Sequence, residues 1–158
     1  MNRGDVLKLA ASILLCQAAG FLGSLFTTPA IPTWYQTLKK PFFTPPNWIF
    51  SPVWISLFVL MGVSLFLIWR RVDHPKFKRA FSFFSIQLVL NILWSGAFFG
   101  LRSPLLGLID ILLLWAAILL TLLNFFQISK WAGVLLLPYL IWVSFAALLN
   151  VALWVLNR

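Results

Sequence analysis

The chain has 158 residues, of which 62% are hydrophobic, 17% aromatic and 9% charged, and its mean hydropathy is +0.98. A soluble domain carries about 45–50% apolar and about 25% charged residues, and disorder needs low hydrophobicity with high net charge, so both are excluded. The net charge of +9 does not point to nucleic acid, because that reading needs a basic face on a soluble fold; the charges fall between apolar runs and read as loop charges that orient membrane helices. Five apolar runs are long enough to cross a bilayer, which takes roughly 20 residues each: residues 6–26, 52–69, 80–100, 105–126 and 131–156. The run Ile111-Leu112-Leu113-Leu114-Trp115 does not alternate in polarity, so helices and not barrel strands are predicted. The expected fold is an all-α membrane protein, a bundle of five transmembrane helices forming one domain over residues 1–158.

The first connection, residues 27–51, holds Pro29, Pro32, Pro41, Pro45 and Pro46, together with Trp34, Tyr35, Phe42, Phe43, Trp48 and Phe50. Proline removes backbone donors and fixes φ, so an ordered, non-helical loop, or one with short turns, is predicted. Its aromatic density exceeds what an interfacial anchor needs and points to a lid. The second connection holds Arg70, Arg71, Lys76, Lys78 and Arg79; with five spans, Arg3, Lys8 and Lys130 share its face, leaving Lys39, Lys40, Arg102 and Arg158 on the other. For a chain inserted into an inner membrane, the positive-inside rule then puts the amino terminus inside and the proline-rich loop outside. Cys16 is the single cysteine and lies within an apolar run, so no internal disulfide forms.

Inside the spans, Asp110 is the one acid. It reads either as a ligand or counter-ion site or as a structural partner of a neighbouring helix or Arg102. Asn91, Trp94, Ser95 and Phe98 share one helical face, as do Trp142, Phe145, Ala146, Leu149 and Asn150, and as do Trp54, Phe58 and Met61. Such stripes serve packing more often than binding. In the predicted topology, however, the polar and Trp-rich positions gather in the half beneath the proline-aromatic loop, as a pocket for a flat apolar ligand requires. Catalytic equipment is sparse: one histidine (His74), one cysteine, no phosphate loop and no recognisable nucleophile–base spacing. Gly96 and Gly100 form a GxxxG pattern that suits close helix packing within the chain or between copies.

Trp34-Tyr35, Lys40-Pro41, Phe43-Thr44-Pro45-Pro46, Trp48 and Pro52-Val53-Trp54, followed by Gln87, Asn91, Trp94, Phe98-Phe99-Gly100, Asp110, Pro138-Tyr139, Trp142, Phe145-Ala146 and Leu149-Asn150, resemble in order the signature of the TspO/MBR family. These are the tryptophan-rich sensory proteins, also called translocator proteins or peripheral-type benzodiazepine receptors. The resemblance implies a five-helix membrane bundle whose first loop caps a pocket for porphyrins such as protoporphyrin IX or haem. Carried over by position, that pocket uses Trp34, Trp48, Trp54, Asn91, Trp94, Asp110, Trp142, Phe145, Ala146 and Asn150. It implies no required cofactor, and a homodimer, in some members through the third helix, where Gly96 and Gly100 lie. The end of the fifth span departs from the animal cholesterol pattern, with Val151 in place of its tyrosine, which marks a microbial-type member. The leading function is a membrane receptor or sensor for porphyrins or similar flat amphipathic molecules. The alternatives are photo-oxidative or oxidative porphyrin degradation and transport of tetrapyrrole or lipid.

Overall fold

The computed structural model describes residues 2–158. Its helices are α1 (Arg3–Ala30), α2 (Asn47–Trp69), α3 (Phe77–Ser95), α4 (Pro104–Phe126), α5 (Lys130–Leu135) and α6 (Leu137–Leu156), and no strand occurs among the described residues. Five helical stretches are long and apolar enough to cross a membrane: Arg3–Ala30, Asn47–Trp69, Phe77–Gly100, Pro104–Phe126 and Lys130–Leu156. The predicted all-α architecture of five spans is therefore present.

The ends of the spans differ from the sequence-based boundaries for local reasons. α1 runs on past residue 26 through Pro29, whose missing N–H costs the last turn one i to i−4 hydrogen bond, and the helix stops one residue later. α2 begins at Asn47 and carries Pro52 near its start. The first loop is therefore shorter than predicted, residues 31–46, and contains a 3₁₀ turn at Tyr35–Thr37. The fifth span is broken at Leu136 into α5 and α6, just before Pro138. Its first piece is held to α2 by the Ser64 hydroxyl, which donates to the Ala132 carbonyl at 2.7 Å. Ser103 and Ser129 cap α4 and α5 by accepting from Leu106 and Ala132 N–H groups at 3.2 and 3.4 Å.

α1 packs on α2 and α3, α3 on α4, α4 on α6, and α2 on α5 and α6. The order around the ring is therefore α1, α2, the α5–α6 pair, α4 and α3. The core contains Cys16, Met61, Phe84, Ile118, Phe125, Tyr139 and Val143, whereas Leu14, Phe21, Val89, Leu113, Ile141 and Leu148 are exposed around the rim. An apolar rim outside an apolar core is what a bilayer requires. In lipid, helices associate through close packing at small residues. A Cβ on Gly62 would stand 2.6 Å from the Ile13 Cα, and one on Gly20 would stand 2.6 Å from the Phe58 ring, so α1 and α2 meet at van der Waals distance there.

The GxxxG segment corrects the expectation of a regular third helix. Residues Gly96–Gly100 form a π-helical turn, closed by the Leu101 N–H donating to the Gly96 carbonyl at 2.8 Å. The wider turn changes the angular spacing of the two glycines. A Cβ on Gly100 would lie 2.9 Å from the Phe26 ring of α1, whereas one on Gly96 would have its nearest neighbour at 3.9 Å. Gly100 thus receives a side chain of its own chain. Arg102 follows with φ of 52°, the one non-glycine residue with positive φ among those described. This sparsely allowed conformation turns the chain sharply into α4.

Candidate functional site

The first loop is packed down by its aromatics. Tyr35 is buried and meets Phe98 and Phe99 at centroid distances of 6.4 and 5.7 Å. Trp34 sets its edge on Phe98 at 5.5 Å, and Phe43 meets Phe145 at 6.3 Å. The Lys40 ammonium lies 4.7 Å from the Tyr35 ring centroid. The loop is also tied to the end of α6. The Lys39 N–H donates to Asn157 Oδ1, and Asn157 Nδ2 donates to the Lys39 carbonyl, both at 2.9 Å. The aromatic and proline-rich segment does cover one end of the bundle.

Beneath it lie two adjoining cavities that share Thr27, Ile31 and Phe50. The larger, about 360 Å³, is enclosed by α1, α2 and α3, with Gln17, Ser24, Trp54, Phe58, Asn91 and Ser95 in its wall. The smaller, about 50 Å³, reaches toward α6 between Tyr35, Trp94, Phe98, Ala146 and Asn150. Neither is lined by a charged side chain, so the site offers aromatic faces, amides and hydroxyls but no fixed charge.

The polar groups at the site are held by named partners. Asn91 Nδ2 donates to the Tyr139 hydroxyl at 2.7 Å, which donates to Gln87 Oε1 at 2.9 Å. Gln87 Nε2 in turn points to the Met61 sulfur at 3.5 Å. Trp94 Nε1 donates to Asn150 Oδ1 at 3.1 Å, and Asn150 Nδ2 donates to the Pro104 carbonyl at 2.8 Å. Together the two bonds satisfy the buried Asn150 amide and tie α6 to both α3 and α4. Serines and threonines of the spans mostly donate back to their own helix, as Ser56, Thr121 and Ser144 do.

Trp54 and Asn91 stand in the wall of the large cavity, and Trp94, Ala146 and Asn150 in that of the small one. Trp54 is stacked on Phe58 at 5.6 Å and is edge-on to Tyr139 at 6.2 Å. Trp142 and Phe145 pack on each other at 5.6 Å, and Trp142 meets Phe50 at 6.0 Å; they and Trp34 back the wall without lining either cavity. Asp110 also lines neither. Its Oδ2 is buried without a hydrogen-bond partner, as is Trp142 Nε1. The alternative of an Asp110–Arg102 pair is not realised: the ion pair found among the described residues is Arg70–Asp5, at 3.7 Å. Trp48 is 73% exposed on the first turn of α2 and lines neither cavity. Sequence reasoning missed the contribution of α1. Gln17, Gly20, Ser24 and Thr27 recur at helical spacing on a span that is otherwise apolar; that small and polar stripe was the available signal.

Fold and site together define a multi-pass helical membrane protein with an uncharged aromatic cavity under a proline-rich loop. The TspO/MBR family model matches residues 12–155. The tryptophan-rich protein TspO of Archaeoglobus fulgidus is 48% identical over 153 residues, covering 97% of this chain and 99% of its own. Protein CrtK of Rhodobacter capsulatus is 34% identical over 149 residues, with 94% and 91% covered. The human translocator protein is 36% identical over 136 residues, with 85% and 80% covered. The chain belongs to the TspO/MBR family.

Proposed function

We propose that the protein is a membrane receptor or sensor for porphyrins, such as protoporphyrin IX or haem, or for similar flat amphipathic molecules, and that it needs no resident cofactor. The observation that carries this reading is the cavity of about 360 Å³ walled by Trp54, Phe58 and Asn91. Its size falls within the ordinary range of ligand sites, about 300–1,000 Å³. Aromatic faces suit a flat conjugated ring, and Asn91 and Ser95 supply a few polar contacts. The amino terminus is placed inside and the first loop outside, in line with the eight lysines and arginines at the end of the bundle opposite that loop. The protein is also proposed to pair with a second copy through α3 and the π turn that follows it, where Ile86, Val89, Leu93 and Gly100 are exposed.

Titration of the purified protein with protoporphyrin IX, read by tryptophan quenching, tests the site. An aromatic contact is worth about 0.5–1.5 kcal/mol beyond its area, so Trp54→Leu is expected to weaken binding about three- to tenfold or more. Trp131→Phe, on the exposed rim, serves as the control. Equal affinity of wild type, Trp54→Leu and Asn91→Ala would show that the ligand sits elsewhere.

A further inference from the structure

We propose that the large cavity is filled from within the bilayer, through a wedge between α1 and α2, while the first loop stays closed. This rests on the proposed porphyrin-binding function and concerns how that site is reached.

The wedge follows from where α1 makes its close contacts. Away from the first loop α1 is pressed on α2, with Gly62 against Ile13 and Gly20 against Phe58. Toward the loop its close contacts pass to α3 and the π turn after it: a Cβ on Gly23 would lie 3.0 Å from the Ser95 hydroxyl, and Gly100 receives Phe26. α1 therefore leans from one neighbour to the other along its length, and the space it leaves beside α2 is the large cavity. At the narrow end Gln17 Nε2 donates to the Ile55 carbonyl at 3.0 Å, closing the apex between the two helices.

The mouth of the wedge lies on the side of the bundle that faces lipid. Beside the apex two residues of the cavity wall, Phe21 of α1 and Ile55 of α2, are 65% and 57% exposed, and nearer the loop, where the gap widens into the mouth, the wall residues Thr28 of α1 and Ser51 of α2 are exposed too. Exposure at this depth means contact with acyl chains, where a hydrophobic ring system is already concentrated. The loop, in contrast, is closed by the paired Asn157–Lys39 hydrogen bonds and by Tyr35 on Phe98 and Phe99. The uncharged wall accepts the apolar body of the ligand and leaves any charged substituent at the interface.

The test uses the full-length protein in phosphatidylcholine vesicles and follows the rate at which protoporphyrin IX fluorescence reports loading. One arm locks the loop by joining Lys39→Cys to Asn157→Cys with a short bismaleimide. The other narrows the wedge with Ser24→Phe or, separately, Ser51→Leu; two variants guard against misfolding of either, and equilibrium binding capacity shows which protein remains competent. The expected result is a loading rate within twofold of wild type for the locked loop and at least tenfold slower for a competent wedge variant. Slowing by the locked loop, or unchanged rates in both wedge variants, overturns the route while leaving porphyrin binding intact. Absence of equilibrium binding by wild type overturns the binding function and the route together.

Discussion

Tyr139→Phe removes one oxygen from the centre of the bundle and should have a consequence well beyond its size. Tyr139, Gln87 and Asn91 are 1%, 1% and 6% exposed, and the tyrosine hydroxyl both accepts from Asn91 and donates to Gln87. Its loss leaves an amide donor and an amide acceptor without those partners. An unsatisfied buried group costs about 1–3 kcal/mol in a soluble protein, whereas hydrogen bonds between membrane helices average about 0.6 kcal/mol because the unfolded state in the membrane also finds partners. With two groups orphaned, the sum should be about 2 kcal/mol, between those limits. For a protein of this size that corresponds to a fall of about 4–8 °C in Tm. Thermal unfolding in detergent reads it directly. Replacing both partners with apolar residues as well, in Gln87→Met/Asn91→Leu/Tyr139→Phe, should recover most of the loss, because no polar group is then left buried and unpaired. A single-variant shift below about 1 °C, or a triple variant less stable than Tyr139→Phe, would refute the claim that this hydroxyl joins the core amides.

Gly62→Ala should cost about 1–3 kcal/mol by overpacking, because the added methyl meets the Ile13 backbone, while Gly96→Ala, whose nearest neighbour is 3.9 Å away, should leave Tm nearly unchanged; the same unfolding assay separates them. Trp94→Phe strands Asn150 Oδ1 and should destabilise by about 1–3 kcal/mol, whereas Trp142→Phe removes an indole N–H that already lacks a partner and should cost less. Burial pushes the Tyr35 hydroxyl above its ordinary pKa of 10.0. Its contribution to holding the loop is therefore complete below pH 10 and is lost as pH rises further; limited proteolysis of the loop should accelerate above that point in wild type and less in Tyr35→Phe.

Much of the fold was legible because bilayer thickness imposes a length and a composition on every span. The five apolar runs announced themselves through residues such as Ile111–Trp115, without reference to any partner. The proline and aromatic content of residues 27–51 announced an ordered loop, of which residues 31–46 are one, while both ends of that stretch belong to α1 and α2. Details set by one or two residues were less legible: Pro29 and Pro52 sit inside helices that tolerate them near an end, and Gly96–Gly100 widens into a π turn. For the site, helical spacing put Ala146 and Asn150 on one face, and both line the small cavity, whereas Asn91 and Trp94, grouped by the same spacing, line different cavities.

What spacing could not supply was the rotation and tilt of one helix against another. Those depend on which small residues meet, and the meetings are between residues distant in the chain: Gly62 with Ile13, Gly20 with Phe58, Gly23 with Ser95. They tilt α1 away from α2, open the cavity, and bring Gln17, Ser24 and Thr27 into its wall while leaving Trp48 outside. The sequence by itself determined a five-span membrane bundle with an aromatic lid, since hydrophobic length and proline chemistry act locally. Only the tertiary structure decided where the cavity lies and toward which side it opens, since both follow from the gap left when close-packed helices diverge.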